Sequence, residues 1–77
     1  MPVVRYFAAA QDATGLDIEH RAETTLGDLR RAVSAAHPAL APILPRCAVL
    51  VGGSRVADDT PLAADQVVDV LPPFAGG

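Results

Sequence analysis

An α+β fold, one main helix packed across a mixed sheet, follows from three features of this 77-residue sequence. β-Branched and aromatic residues crowd both ends, at Val3–Phe7 and Val67–Leu71, and read as strands. Between them a single apolar stripe of helical period runs from Leu26 to Ala36. The last strand runs into Pro72-Pro73, which have no amide hydrogens with which to carry sheet pairing onward. A chain of this length is one domain, and it buries only about 60% of its unfolded surface, so cover from a partner would add to its stability.

The first strand is expected over Pro2–Ala10. Period two places Val4, Tyr6 and Ala8 on one face and Val3, Arg5 and Phe7 on the other, and the face with the arginine turns to solvent or a partner. Asp12-Ala13-Thr14-Gly15 reads as a turn with Gly15 free to take positive φ, leading into a second strand over Leu16–Ala22. In that strand Leu16, Ile18 and His20 alternate with Asp17, Glu19 and Arg21, with Ile18 directed to the core. The helix spans Leu26–Ala36, with Thr25 as N-cap, Asp28 three residues on, and Leu26, Leu29, Val33 and Ala36 on the inward stripe. His37-Pro38 ends it, because a residue before proline is pushed out of the helical region. Residues 39–46 form a loop with room for a short helical turn, in which Leu40, Ile43 and Leu44 plug the edge of the core.

Cys47–Val51 is a third strand, Gly52-Gly53 a tight turn, and Ser54–Val56 a brief fourth strand. Residues 57–65 are polar, with Leu62 as their anchor into the core. The last strand, Val67–Leu71, follows. The expected core is Val4, Tyr6, Ile18, Leu26, Leu29, Val33, Leu62, Val68 and Val70. The order is hairpin, helix, short strands and last strand, a ββαββ plan in which the two terminal strands lie side by side at the centre of the sheet.

Composition excludes several classes. With six arginines, no lysine, nine acids and a net charge of −3, the chain lacks the basic face that a nucleic-acid binder needs. No apolar run approaches the ~18 residues that span a bilayer, and no signal-peptide layout opens the chain, so a cytoplasmic protein without membrane attachment is expected. One cysteine, Cys47, allows no internal disulfide, and at the head of an apolar strand it reads as a small buried hydrophobe. His37 reads as a helix C-terminal residue and His20 as a strand-end side chain. Asp58-Asp59 is a solvated turn, since two adjacent carboxylates alone do not cage a metal, and no metal site is expected. Phosphate loops, CxxC and HExxH patterns are absent.

The remaining chemistry sits at the C-terminus. Beyond a domain of residues 1–73, the segment 74–77 reads as a flexible tail that reaches roughly 13 Å if fully stretched. Gly76 and Gly77 have no Cβ, so they can thread a narrow channel closed to other residues. With only three aromatics in the chain, Phe7 and Phe74 stand out as anchors. Arg5, Phe7 and Leu71, with Phe74 near the tail root, are the expected partner surface.

Val4-Arg5-Tyr6-Phe7-Ala8, Gly15, Thr25 with Leu29, Pro61-Leu62 and above all Leu71-Pro72-Pro73-Phe74-Ala75-Gly76-Gly77 resemble the MoaD/ThiS sulfur-carrier family, and within it most the molybdopterin synthase small subunits. The match runs through essentially the whole chain. It departs from the family at Asp65-Gln66-Val67, where relatives carry a Gly-Asp-acid turn, and at Gly52-Gly53, which lacks their frequent asparagine. The resemblance implies a ubiquitin-like β-grasp fold and a passive carrier with no catalytic side chains and no bound cofactor. It implies that an E1-like adenylating enzyme activates the carboxylate of Gly77 with ATP, and that a sulfur donor converts it to a thiocarboxylate. Phe74, Ala75 and Gly76 then lie in the channel of the molybdopterin synthase large subunit, where sulfur passes to cyclic pyranopterin monophosphate. Carriers of sulfur for thiamine or cysteine synthesis, and ubiquitin-like protein modifiers, share the same tail.

Overall fold

The computed structural model of the protein describes residues 1–73. The elements in chain order are β1 (Val3–Tyr6), α1 (Ala9–Thr14), β2 (Ile18–His20), α2 (Leu26–Ala36), a 3-10 turn (Leu44–Arg46), β3 (Ala48–Val51) and β4 (Val67–Leu71). The four strands form one sheet in the order β2-β1-β4-β3, with β1 and β4 parallel at its centre and both outer pairs antiparallel. This is the expected mixed sheet with the terminal strands adjacent. Phe74–Gly77, expected as a flexible tail, lie outside the described residues.

Helix α2 forms where its stripe and cap place it. Thr25 is extended, and its hydroxyl accepts a hydrogen bond from the Asp28 amide at 3.2 Å, satisfying one of the orphan donors of the first turn. The amides of Leu26 and Gly27 donate to Thr60 and Asp58 carbonyls, so the 58–60 loop covers the rest of that turn. Leu26, Leu29 and Val33 are buried against the inner sheet face, where they meet Val4, Tyr6, Val49, Val51, Val68 and Val70. Ala36, expected on this stripe, is exposed. Leu40 and Leu44 close the end of the core, with Ile43 packed at its margin and Leu62 anchoring the loop before β4.

Three expectations are corrected. β1 stops at Tyr6, and the chain turns at Ala8 (φ 50°, ψ −124°), the single non-glycine with positive φ among the described residues. Ala8 is exposed where alternation would have buried it. The turn launches helix α1 through Ala9–Thr14, in place of the simple hairpin. Two leading alanines favour it, and Gly15 closes it in the left-handed region (φ 71°) with its amide on the Gln11 carbonyl.

Strand β2 is short, and its faces are the reverse of those expected. Val4 pairs with Glu19 and Arg5 with Ile18, so Ile18 shares the outer face with Arg5 and is 49% exposed, while Glu19 sits over the core margin. A one-residue shift of register exchanges every side chain between faces.

Ser54–Val56 is not a strand. Gly52 and Gly53, at φ 58° and 86°, make a two-residue turn whose pairing ends after one bridge, Val51 with Ser54. The peptide then leaves with Arg55 in solvent. A Cβ at Gly52 would stand 2.9 Å from the mobile end of the Gln66 side chain, which can move aside, so it is the left-handed backbone angle that requires glycine there.

Candidate functional site

The outer face of the sheet, opposite α2, carries the residues that the sequence marked for a partner. Alternation in β1 turns Val3, Arg5 and Phe7 outward, and the parallel register sets Val3 beside Val67 and Arg5 beside Asp69. The Phe7 amide donates to the Val70 carbonyl at 3.2 Å, extending the pairing by one rung toward the C-terminal end of β4. Phe7 is 37% exposed, Val67 is 36% exposed, and Leu71 is half-buried. Ile18 and Leu50 flank the central pair from the edge strands. The face is therefore largely apolar, with His20 at its β2 edge and one polar element at its centre.

That element is an ion pair. Arg5 donates to both carboxylate oxygens of Asp69, Nε to Oδ1 at 2.5 Å and Nη2 to Oδ2 at 2.8 Å, and its guanidinium carbon lies 5.5 Å from the centre of the Phe7 ring. Hydrogen bonding to Asp69 and that carboxylate's charge hold Arg5 more firmly protonated. The two-pronged geometry fixes the orientation of the arginine between Asp69 and Phe7. Asp69 escaped the sequence reading because its partnership depends on the register of two strands 64 residues apart.

At the end of this face Pro72 is half-buried and Pro73 exposed, and the strand ends there. Gly77, Gly76, Ala75 and Phe74 lie outside the described residues, so the geometry bears on their point of departure alone. Arg5, Phe7 and Leu71 are brought together on one side of it.

Elsewhere the polar side chains serve the fold. Tyr6, buried in the core, donates its hydroxyl to Glu19 Oε1 at 2.7 Å, and His37 Nε2 lies 2.9 Å from the same oxygen. Arg21 grips Glu23 at 2.8 and 3.0 Å and reaches Glu19 at 3.4 Å. His37 thus ties the end of α2 to β2 as well as capping the helix. A buried tyrosine needs a partner for its hydroxyl, and that need is the signal that could have identified Glu19 as inward-facing. Cys47 is buried, its thiol donates to the Ile43 carbonyl at 3.3 Å, and burial pushes the thiol up despite the nearby charge of Arg30. It packs as a small hydrophobe. Among the described residues no group of three histidines, cysteines or acids stands together as a metal site. No described helix is long and apolar enough to cross a membrane.

The sequence profile of the ThiS family matches residues 4–77. The chain belongs to the ThiS family. Among solved structures, this ThiS-family chain is similar to a molybdopterin converting factor subunit 1 from Pyrococcus furiosus, described as putative, at 24% identity and a TM-score of 0.86, over 95% of this chain and 97% of that one. It is similar to small archaeal modifier protein 1 from Methanosarcina acetivorans at 19% identity and a TM-score of 0.87, over 99% and 95%. It is also similar to a chain in a complex of subunits 1 and 2 of molybdopterin-converting factor from Helicobacter pylori 26695, at 26% identity and a TM-score of 0.74, over 99% and 97%. No curated protein sequence gives a significant match. The ThiS-family chain has the ubiquitin-like β-grasp fold of these structures.

Proposed function

We propose that this chain is the sulfur-carrying small subunit of molybdopterin synthase, working in the cytoplasm. The observation that carries the reading is the departure of the chain at Pro72-Pro73 beside Phe7 and Leu71 on a largely apolar sheet face. A partner that covers this face also receives whatever follows Pro73. The complex of converting-factor subunits 1 and 2 from Helicobacter pylori supports a large-subunit partner of the same kind.

The chemistry falls on the terminal carboxylate. At a pKa of about 3.5 it is ionised and resists nucleophiles. An E1-like enzyme joins one Gly77 carboxylate oxygen to the α-phosphorus of ATP and expels pyrophosphate. Sulfur from a donor then attacks the acyl carbon, AMP leaves with that oxygen, and a thiocarboxylate remains. In the large subunit the sulfur passes to cyclic pyranopterin monophosphate, and water restores the carboxylate. The acid and base groups belong to the partners, and this chain contributes no catalytic side chain and binds no cofactor.

Likeness to small archaeal modifier proteins favours a second reading, in which Gly77 is joined to lysines of target proteins. Sulfur delivery for thiamine or cysteine synthesis uses the same activated end. Intact-mass analysis separates these readings. With activating enzyme, ATP and a sulfide source, the chain should gain the mass difference between sulfur and oxygen, localised to the C-terminal peptide. A variant extended beyond Gly77 should gain nothing. A thiocarboxylated chain that gives no molybdopterin with the large subunit would redirect the assignment to another acceptor, and larger covalent adducts in cells would favour the modifier.

A further inference from the structure

A shallow groove of about 130 Å³ lies at the root of the C-terminal segment, lined by Ala9, Ile43, Arg46, Pro72 and Pro73. Its volume leaves room for one side chain. Three elements converge there: the start of α1, the 3-10 turn and the end of β4. Arg46 is the one charge in its lining. Four of the six arginines hold carboxylates, Arg5 with Asp69, Arg21 with Glu19 and Glu23, Arg30 with Asp58 and Arg31 with Asp28. Arg46 is exposed and holds none among the described residues. Arg55, likewise without a carboxylate among them, follows the Gly52-Gly53 turn at the opposite end of the sheet.

We infer that Arg46 and this groove form a second docking element, which seats an acidic side chain on the rim of the cleft that receives the C-terminus. The inference rests on the carrier reading proposed above. Gly77 is the fourth residue after Pro73 and lies at most about 13 Å from it, so any protein that acts on Gly77 brings its rim against Pro72, Pro73 and whatever borders them. Arg46 borders them. A guanidinium covered by a partner without a counter-charge is strongly unfavourable, whereas a carboxylate opposite it gives the contact both register and speed of encounter. The outer sheet face supplies apolar area on one side of the exit, and Arg46 supplies charge on the other. The two together fix the direction in which the C-terminus enters.

The test uses the full chain and the molybdopterin synthase large subunit from the same genome, with calorimetric titration at low and high salt. Arg46→Glu should weaken binding by about tenfold or more at low salt, and Arg46→Lys by much less. Wild-type binding should weaken with salt more steeply than that of Arg46→Gln, because the pair is screened. All three variants should melt with the wild type, since Arg46 is exposed and makes no ion pair within the described fold. Wild-type affinity in Arg46→Glu, or an equal salt response in Arg46→Gln, would overturn the inference. If Phe7→Ala alone weakened binding, the carrier reading would stand without it. If the wild-type chain failed to bind the large subunit at all, that reading would fall and take the inference with it.

Discussion

Tyr6 is buried in the core and its hydroxyl, at the core margin, donates to Glu19 Oε1 at 2.7 Å across the β1–β2 pair, so the largest fully buried side chain among the described residues is held by a carboxylate. Burial alone would push Glu19 up. The hydrogen bonds from Tyr6 and His37, with the charge of Arg21, outweigh it and hold the carboxyl below its usual value. Arg21 likewise holds Glu23 down, against the smaller effect of burial. A depressed folded pKa stabilises the fold above the unfolded value and loses that contribution as pH falls. Thermal stability should therefore decline as pH drops below about 4.5, the unperturbed carboxyl value of both groups. Glu19→Gln, which still offers Tyr6 an acceptor, should show a shallower acid decline in melts taken across that range.

Leu29 stands on the inward face of α2, 2% exposed, in contact with the core from both central strands. Leu29→Ala should cost about 2–5 kcal/mol in chemical denaturation. An unchanged midpoint would mean that the helix does not rest on the sheet as described.

Ala8 occupies a backbone region that favours glycine, at φ 50° and ψ −124°. The strain there is of the order of 1–3 kcal/mol, and glycine relieves it at a cost of about 0.4–1 kcal/mol in unfolded-chain entropy. Ala8→Gly should raise stability by about 1 kcal/mol, read from urea unfolding. A loss of stability would show that the Ala8 methyl is needed at the turn.

Phe7 is exposed beside the strand exit, so its truncation spares the core. Phe7→Ala should weaken binding to the proposed large-subunit partner by about 1–2 kcal/mol while the melting temperature stays close to that of the wild type. Unaltered affinity in calorimetry would place the contact on another face.

The two central strands were legible because both alternate around apolar residues, and a chain with β-branched runs at its ends and one crossover helix has few ways to close a sheet. Helix α2 was legible through Thr25 and the Leu26–Leu29–Val33 stripe. Strand β2 was misread because local alternation set Ile18 and Leu16 against charged neighbours, and burying the apolar set looked better. The outcome was decided elsewhere, by the pairing of Val4 with Glu19 and by the hydroxyl of Tyr6. Helix α1 was missed because six residues show less than two turns of periodicity, and its start depends on an unusual angle at Ala8. Of the candidate site, Arg5, Phe7 and Leu71 could be read from strand alternation. Asp69 and Arg46 could not, since one needs the parallel register and the other the meeting of three elements.

The central position of β4 also has a mechanical consequence. A pull applied beyond Pro73 runs along β4, which is bonded on one side to β1 and on the other to β3. Its hydrogen bonds lie across that direction, so they are loaded together in shear and cannot open one at a time like a zipper. An end gripped tightly in a cleft can thus be drawn out again without unravelling the body behind it, and the same geometry would resist an unfoldase that seized the chain by its C-terminus.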